Sequence, residues 1–303
     1  MRSGALGDFV LTLPAINTLR HHFPQAQLGL IGRPAYLRLA QPTAVIDQDS
    51  AALAPLYAPG PLPATTRNLF AATDFILAYA VDADGVLTAH LNELAPHSLV
   101  WDPRPNPDAE QHIVDYLLAP LEELGLAAAE ARPYVYLEEK DRAYAANLWQ
   151  EHDFPGKLIA LHPGSGGTRK CWPLAKYLDL AHALKQHHIH VIFLCGPADE
   201  VLIEQLAHKP FPLICPPTPL QLASVLERVA LLVGNDSGPG HLAAALNVPV
   251  VALFGPTDPR IWQPRGPCTG IIRAPDGQLA SLSVDLVFEK CLNTLDLQSA
   301  PSG

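Results

Sequence analysis

Three glycine-rich turns in the second half of the chain carry residue types suited to holding an anion. The first is Gly234-Asn235-Asp236-Ser237-Gly238, followed by Pro239 and His241. Pro239 suits the first position of a short helix, whose unpaired N–H groups and dipole favour negative charge. Ser237 and His241 add side-chain donors there, although a histidine at a helix start serves structure as readily as binding. The second turn, Gly164-Ser165-Gly166-Gly167, ends in Arg169-Lys170. It offers N–H groups and two cations to phosphate oxygens, or else is a solvated turn. It is no Walker A loop, because Arg169 stands where glycine is required. The third turn, 196–200, holds Asp199 and Glu200, which suit ribose hydroxyls or simply cap a helix. Taken together the turns suggest a diphosphate bracketed by Lys170 and Glu200.

A fourth glycine turn opens the chain: Gly4-Ala5-Leu6-Gly7-Asp8. Asp8 has two readings, a general base for an attacking hydroxyl or an N-cap for the helix beginning near Phe9. Other chemistries find less support. No G-x-S-x-G elbow is present for a serine hydrolase. His187, His188 and His190 share metal-ligand spacing, but they fall at a turn before a strand with no cysteine or acidic neighbour.

These turns need a scaffold of parallel strands. The runs 229–233 and Val250–Phe254 are apolar throughout, as strands covered on both faces should be. Leu158–Leu161, His190–Leu194 and 213–215 read the same way, with helices over 172–185, 200–207, 219–228 and 283–295. Strand, loop and helix repeat, predicting an α/β doubly wound sheet with ligands beyond the carboxyl ends of the strands. The first half is less regular. It contains a helix over 9–22, strands near 28–31, 45–47, Phe75–Tyr79, 98–101 and 133–137, and helices over 112–124 and 141–152. This divides the chain into an amino-terminal domain over 1–152, a carboxyl-terminal domain over 153–282, and a closing helix and tail over 283–303. The glycine turn before Asp8 normally follows a strand, and the sequence has none before it; either that strand is absent or the protein begins upstream of Met1.

Composition narrows the partners. The chain has 303 residues with 49 % apolar content, enough for substantial cores. A net charge of −10 argues against nucleic acid as a partner. Five widely spaced cysteines fit reduced cytosolic thiols better than disulfides or zinc. No apolar run is long enough to span a bilayer, and Asp8 interrupts any secretory signal. The expected location is the cytoplasm, at most against a membrane surface.

Four segments together resemble the glycosyltransferase family that contains the lipopolysaccharide heptosyltransferases. They are S-G-A-L-G-D-F-V-L-T-L-P-A-I (3–16), H-P-G-S-G-G-T-R-K-C-W-P (162–173), G-N-D-S-G-P-G-H-L-A-A-A-L (234–246) and F-G-P-T-D-P-R-I-W-Q-P-R-G (254–266). The resemblance implies a GT-B architecture, two Rossmann-like domains facing a cleft, with the donor nucleotide in the carboxyl-terminal one. It implies inverting transfer of heptose from ADP-heptose to a lipopolysaccharide inner-core acceptor, with no essential metal and no further cofactor. It implies the cytoplasmic face of the inner membrane as the place of action. By motif, Asp8 is implied as the base and Lys170 as the diphosphate ligand. Ser165, Gly166, Asp236, Ser237, Gly238 and His241 are implied at phosphates and sugar, and Glu200 at the ribose. Two other readings stay open: a related transferase with another sugar donor, and a non-catalytic nucleotide-sugar-binding module.

Overall fold

A computed structural model of the chain describes residues 1–106, 108, 110–154 and 158–299. The chain divides into two compact units, Met1–Ala131 and Arg132–Gly303.

In the first unit the elements follow as α1 (Leu6–His22), β1 (Gly29–Gly32), α2 (Pro34–Leu37), β2 (Ala44–Asp47), α3 (Ala64–Leu69), β3 (Phe75–Tyr79), α4 (Val86–Leu94), β4 (His97–Trp101) and α5 (Ile113–Glu123). All pairing is parallel, β1 with β2 and β3 with β4. Met1 and Arg2 lie between these two pairs. The Arg2 N–H donates to the Ile31 carbonyl at 2.8 Å, and the Tyr79 N–H donates to the Met1 carbonyl at 3.0 Å. The backbone of these two residues thus bridges β1 and β3. Burial there, reinforced by the Arg2 charge, pushes the Met1 ammonium down to about 5. α1 is buried on nearly every side, from Phe9 through Ile16, which explains its continuous apolar run. The helix starts at Leu6, three residues earlier than the sequence suggests.

The second unit adds α6 (Glu139–His152), β5 (Leu158–His162), α7 (Leu174–Gln186), β6 (His190–Leu194), α8 (Glu200–Leu206), β7 (Leu213–Ile214), α9 (Pro219–Leu226), β8 (Leu231–Asn235), α10 (Gly238–Ala245), β9 (Val250–Phe254), α11 (Pro259–Trp262), β10 (Thr269–Arg273) and α12 (Val284–Ser299). Its six strands run parallel in the order β7-β6-β5-β8-β9-β10, so chain direction across the sheet reverses between β5 and β8. Every residue of β5, β8 and β9 is buried. Ile159, Leu161, Phe193, Val233 and Leu253 share one core with Tyr177 and Leu180 of α7 and Val287 and Cys291 of α12.

Three expectations need correction. The strand expected over 229–233 runs from Leu231 to Asn235, because the Ala230 N–H caps Leu158 and the ladder begins at Ile159 opposite Leu231. Residues 133–137 form no strand. They lie extended along the second unit, with the Val135 N–H donating to the Ala245 carbonyl at 3.0 Å. α6 belongs with that unit too, as Arg142 grips Glu227 with two bonds of 2.6 and 2.8 Å, so the division falls ahead of α6 and not after it. β10, α3 and α4 were not foreseen; Ile271-Ile272 is too short an apolar run to signal a strand.

Gly32 is where the backbone of Arg2 passes closest: a Cβ there would run into the Arg2 carbonyl oxygen and sit 3.0 Å from Leu37 Cδ2. Gly32→Ala should lower the unfolding free energy by about 1–3 kcal/mol, the usual cost of overpacking. Urea titration followed by circular dichroism measures it, and a variant as stable as wild type would show that Arg2 is not held there.

Candidate functional site

In an open parallel sheet the loops at a strand-order reversal splay apart and leave a crevice beyond the carboxyl ends. Here those are the loops after β5 and β8, which hold two of the three sequence-predicted turns. Asn235, the last residue of β8, ties them together. Its carboxamide nitrogen donates to the carbonyls of Pro163 and Gly164 at 2.8 and 3.2 Å. Its oxygen accepts the Trp172 N–H at 2.9 Å and the Tyr177 hydroxyl at 3.1 Å. Asn235 is 1 % exposed, so all of this bonding replaces water. The sequence placed Asn235 in a turn and gave it no role.

Asp236 makes the second link. Its carbonyl accepts the Ser165 hydroxyl at 3.0 Å, and its Oδ2 accepts Lys170 Nζ at 3.0 Å. The same Oδ2 accepts the Thr257 hydroxyl at 2.8 Å, from the loop after β9. Lys170 reaches Asp236 from a single 3-10 turn, Thr168–Lys170, that ends the glycine loop. Gly166 lies in that loop, exposed, with open space where a Cβ would be. Ser237 is the N-cap residue of α10 and donates its hydroxyl to the Asn235 carbonyl at 3.1 Å. Gly238, and not Pro239, is the first helical residue; Pro239 follows it. His241 is buried in the opening turns of α10.

The loop after β6 is built around Asp199, whose carboxylate accepts the Gly196 N–H at 2.7 Å. A Cβ on Gly164 would overlap that carboxylate, which explains why glycine stands there. Asp199 is thus occupied in its own loop. Glu200, the first residue of α8, is exposed and makes no side-chain bond among the described residues. The structure therefore bonds Ser165 and Lys170 to Asp236 and Ser237 to the adjacent Asn235 carbonyl, with Gly166 in the loop after β5, Gly238 and His241 in α10, and Glu200 at the start of α8.

Asp8 belongs to the first unit. It is the third helical residue of α1, and not the N-cap: its Oδ2 accepts the Ala5 N–H at 2.9 Å in a capping box, and its Oδ1 faces Arg2 Nη2 at 3.2 Å. Arg2 is nearly buried, and burial lowers its pKa while Asp8 and Tyr79 raise it. The Asp8 side chain remains 37 % exposed, so one carboxylate both caps the helix and faces solvent.

His162 closes β5 beneath the glycine loop, with Nδ1 2.9 Å from the Leu194 carbonyl. Burial lowers its pKa from 6.5, against smaller upward effects of the Asp199 charge and the Leu194 bond. The same loops hold Cys195, whose thiol burial pushes up to about 12. His188 and His190 lie elsewhere, beside Lys185 at the amino ends of the strands, where they line a cavity of about 340 Å³. Among the described residues no helix is long and apolar enough to cross a membrane.

Residues 79–291 match the family Glycosyltransferase family 9 (heptosyltransferase). Lipopolysaccharide heptosyltransferase 3 of Escherichia coli (strain K12) is 26 % identical over 296 residues, covering 85 % of this chain and 82 % of that protein. Two solved structures are similar in fold. A glycosyl transferase family 9 protein from Veillonella parvula DSM 2008 aligns with a TM-score of 0.81 at 19 % identity, over 97 % of this chain and 96 % of its own. The E. coli ADP-heptose lps heptosyltransferase II aligns with a TM-score of 0.75 at 20 % identity, over 99 % and 100 %. These likenesses carry the fold: two Rossmann-like units of the GT-B architecture.

Two outcomes are expected. Asn235→Asp keeps the shape but replaces two donors by charge, and should cost about 3 kcal/mol or more in urea unfolding; a loss under about 1 kcal/mol would show that the carboxamide is dispensable. Separately, the unfolded chain takes up a proton at His162 that the folded chain resists. Stability from this group is full above pH 6.5 and falls as pH drops below it toward the lowered folded value. The unfolding free energy should decline from pH 6.5 to 5, with a smaller slope in His162→Gln; equal slopes would remove His162 from the account.

Proposed function

Because the chain belongs to glycosyltransferase family 9, the heptosyltransferase family, we propose that it transfers a heptose from ADP-heptose to a lipopolysaccharide inner-core acceptor. In this reading the transfer inverts the anomeric centre, needs no metal, and takes place at the cytoplasmic face of the inner membrane. The observation that carries it is the position of Lys170: its ammonium sits beside Asp236, two residues before α10 begins, at the strand-order reversal. A cation and a helix N-terminus together form a site for a diphosphate. The names of the relatives support the heptose and the lipopolysaccharide, and the name of one of them includes ADP-heptose.

The donor's diphosphate would lie against the N–H groups at the start of α10, with Ser165, Gly166, Ser237 and Gly238 around it and His241 behind. Glu200, without an internal partner among the described residues, is the acceptor offered to ribose hydroxyls. The acceptor sugar's hydroxyl attacks the anomeric carbon as the bond to ADP breaks, and its proton passes to Asp8. Arg2 and the Ala5 N–H hold the Asp8 carboxylate in one orientation for that transfer. Charge released onto ADP is met by Lys170 and the dipole of α10, the kind of preorganised stabilisation that requires no solvent rearrangement.

Asp8→Asn should lower the rate of ADP release from ADP-heptose and acceptor by about 10²–10⁴-fold, the usual worth of a general base. Calorimetric titration should show the ADP affinity of that variant unchanged, and the chelator EDTA should leave the wild-type rate intact. Wild-type binding of ADP-heptose without any ADP release would instead mark a nucleotide-sugar-binding module, and equal rates for Asp8→Asn and wild type would remove Asp8 as the base.

A further inference from the structure

Asp236 is held on three sides by backbone and side chain before any ligand arrives. Its N–H donates to the Leu253 carbonyl at 3.0 Å, its carbonyl accepts Ser165, and its Oδ2 accepts both Lys170 and Thr257. The side chains of Asp236 and Lys170 are 9 % and 37 % exposed, so the carboxylate is the better buried partner of the pair. The two donors on Oδ2 differ in stiffness. Lysine reaches in on four methylenes and loses much rotamer freedom when fixed. Threonine is β-branched, stiff at χ1 and three residues beyond a fully buried strand. Its hydroxyl therefore sets the carboxylate, and the carboxylate sets the ammonium.

From this geometry we infer that Thr257 is a positioning residue for nucleotide binding, acting through Asp236 to place the Lys170 ammonium against a diphosphate. The inference rests on the donor-site reading above and assigns a role to the loop after β9. A diphosphate that draws Lys170 toward itself weakens the ion pair and leaves Asp236 close to a second anion. The Thr257 hydroxyl then remains as the donor that keeps this carboxylate satisfied. Without it, the carboxylate competes for Lys170 with the ligand. The prediction is a loss of nucleotide affinity that depends on Lys170 being present.

The test uses ADP as the probe and the full chain, with affinity measured by calorimetry up to millimolar ADP. Thr257→Val is nearly isosteric and removes only the hydroxyl, while Thr257→Ser retains it; thermal unfolding checks that each variant is folded, with Thr257→Ala in reserve for a misfolded valine variant. Thr257→Val should weaken ADP binding about tenfold, and Thr257→Ser about threefold or less. In a Lys170→Met background the same Thr257→Val change should alter affinity by less than about twofold, since a residue acting through Lys170 has nothing left to act on. A Thr257→Val variant that binds ADP as tightly as wild type overturns the inference. So does an undiminished loss in the Lys170→Met background, which would mark a direct or general structural role. A wild-type chain that binds no ADP removes the donor-site reading and the inference with it, an outcome distinct from the other two.

Discussion

The second unit depends on satisfying the backbone at one point, where the strand order reverses between β5 and β8. Loops that diverge there leave carbonyls and N–H groups with no neighbouring strand to pair with, and no buried backbone group goes unpaired without cost. The Asn235 carboxamide meets both kinds of need at once, with two donors to the Pro163 and Gly164 carbonyls and an acceptor for Trp172 and Tyr177. Trp172 and Tyr177 meet edge to face at 4.9 Å and carry that anchoring into the core. The loops at the reversal are therefore tied together by one side chain.

The charge of the site follows a similar economy. The chain is acidic overall, yet its proposed ligand is an anion, so the cations that bind it must be local. Lys170 waits in an ion pair with Asp236, half in contact with water. The Lys170 end of the pair is the exposed one, and the Asp236 carboxylate is nearly buried. Asp236, implied by its motif at phosphates and sugar, has its carboxylate turned toward Lys170 and Thr257.

Much of this was legible in the sequence, and the reasons are specific. Strands buried on both faces appear as unbroken apolar runs, so Val250–Phe254, His190–Leu194 and Phe75–Tyr79 were found with their exact bounds. The rule that ligand loops follow parallel strands singled out the loops of Lys170, Ser237 and Glu200, and the family resemblance added Ser165. The same rule applied to β9 would have reached Thr257, the third arm of the Asp236 cluster. Asn235 was harder to find, because a turn-forming residue and a buried hub use the same letter; only the placement of four partners from three segments distinguishes them. Asp8 was read as a base or an N-cap; it is the third helical residue, and its carboxylate bonds the Ala5 N–H and Arg2 while the side chain stays 37 % exposed. The edge strand β10 and the union of α6 with the second unit come from tertiary contacts that leave no period in the sequence.

The short backbone of Met1 and Arg2 has a dynamic consequence. It is held to β1 and β3 by a handful of bonds, against a glycine that permits the approach, while α1 is anchored by a long buried face. Local opening free energies scale with what must be broken, so this segment can release in a sub-global fluctuation while the helix stays folded. Each such opening would detach Arg2 from Asp8 without moving Asp8 itself. Amide exchange at Arg2 and Tyr79 is the measurement that counts such openings.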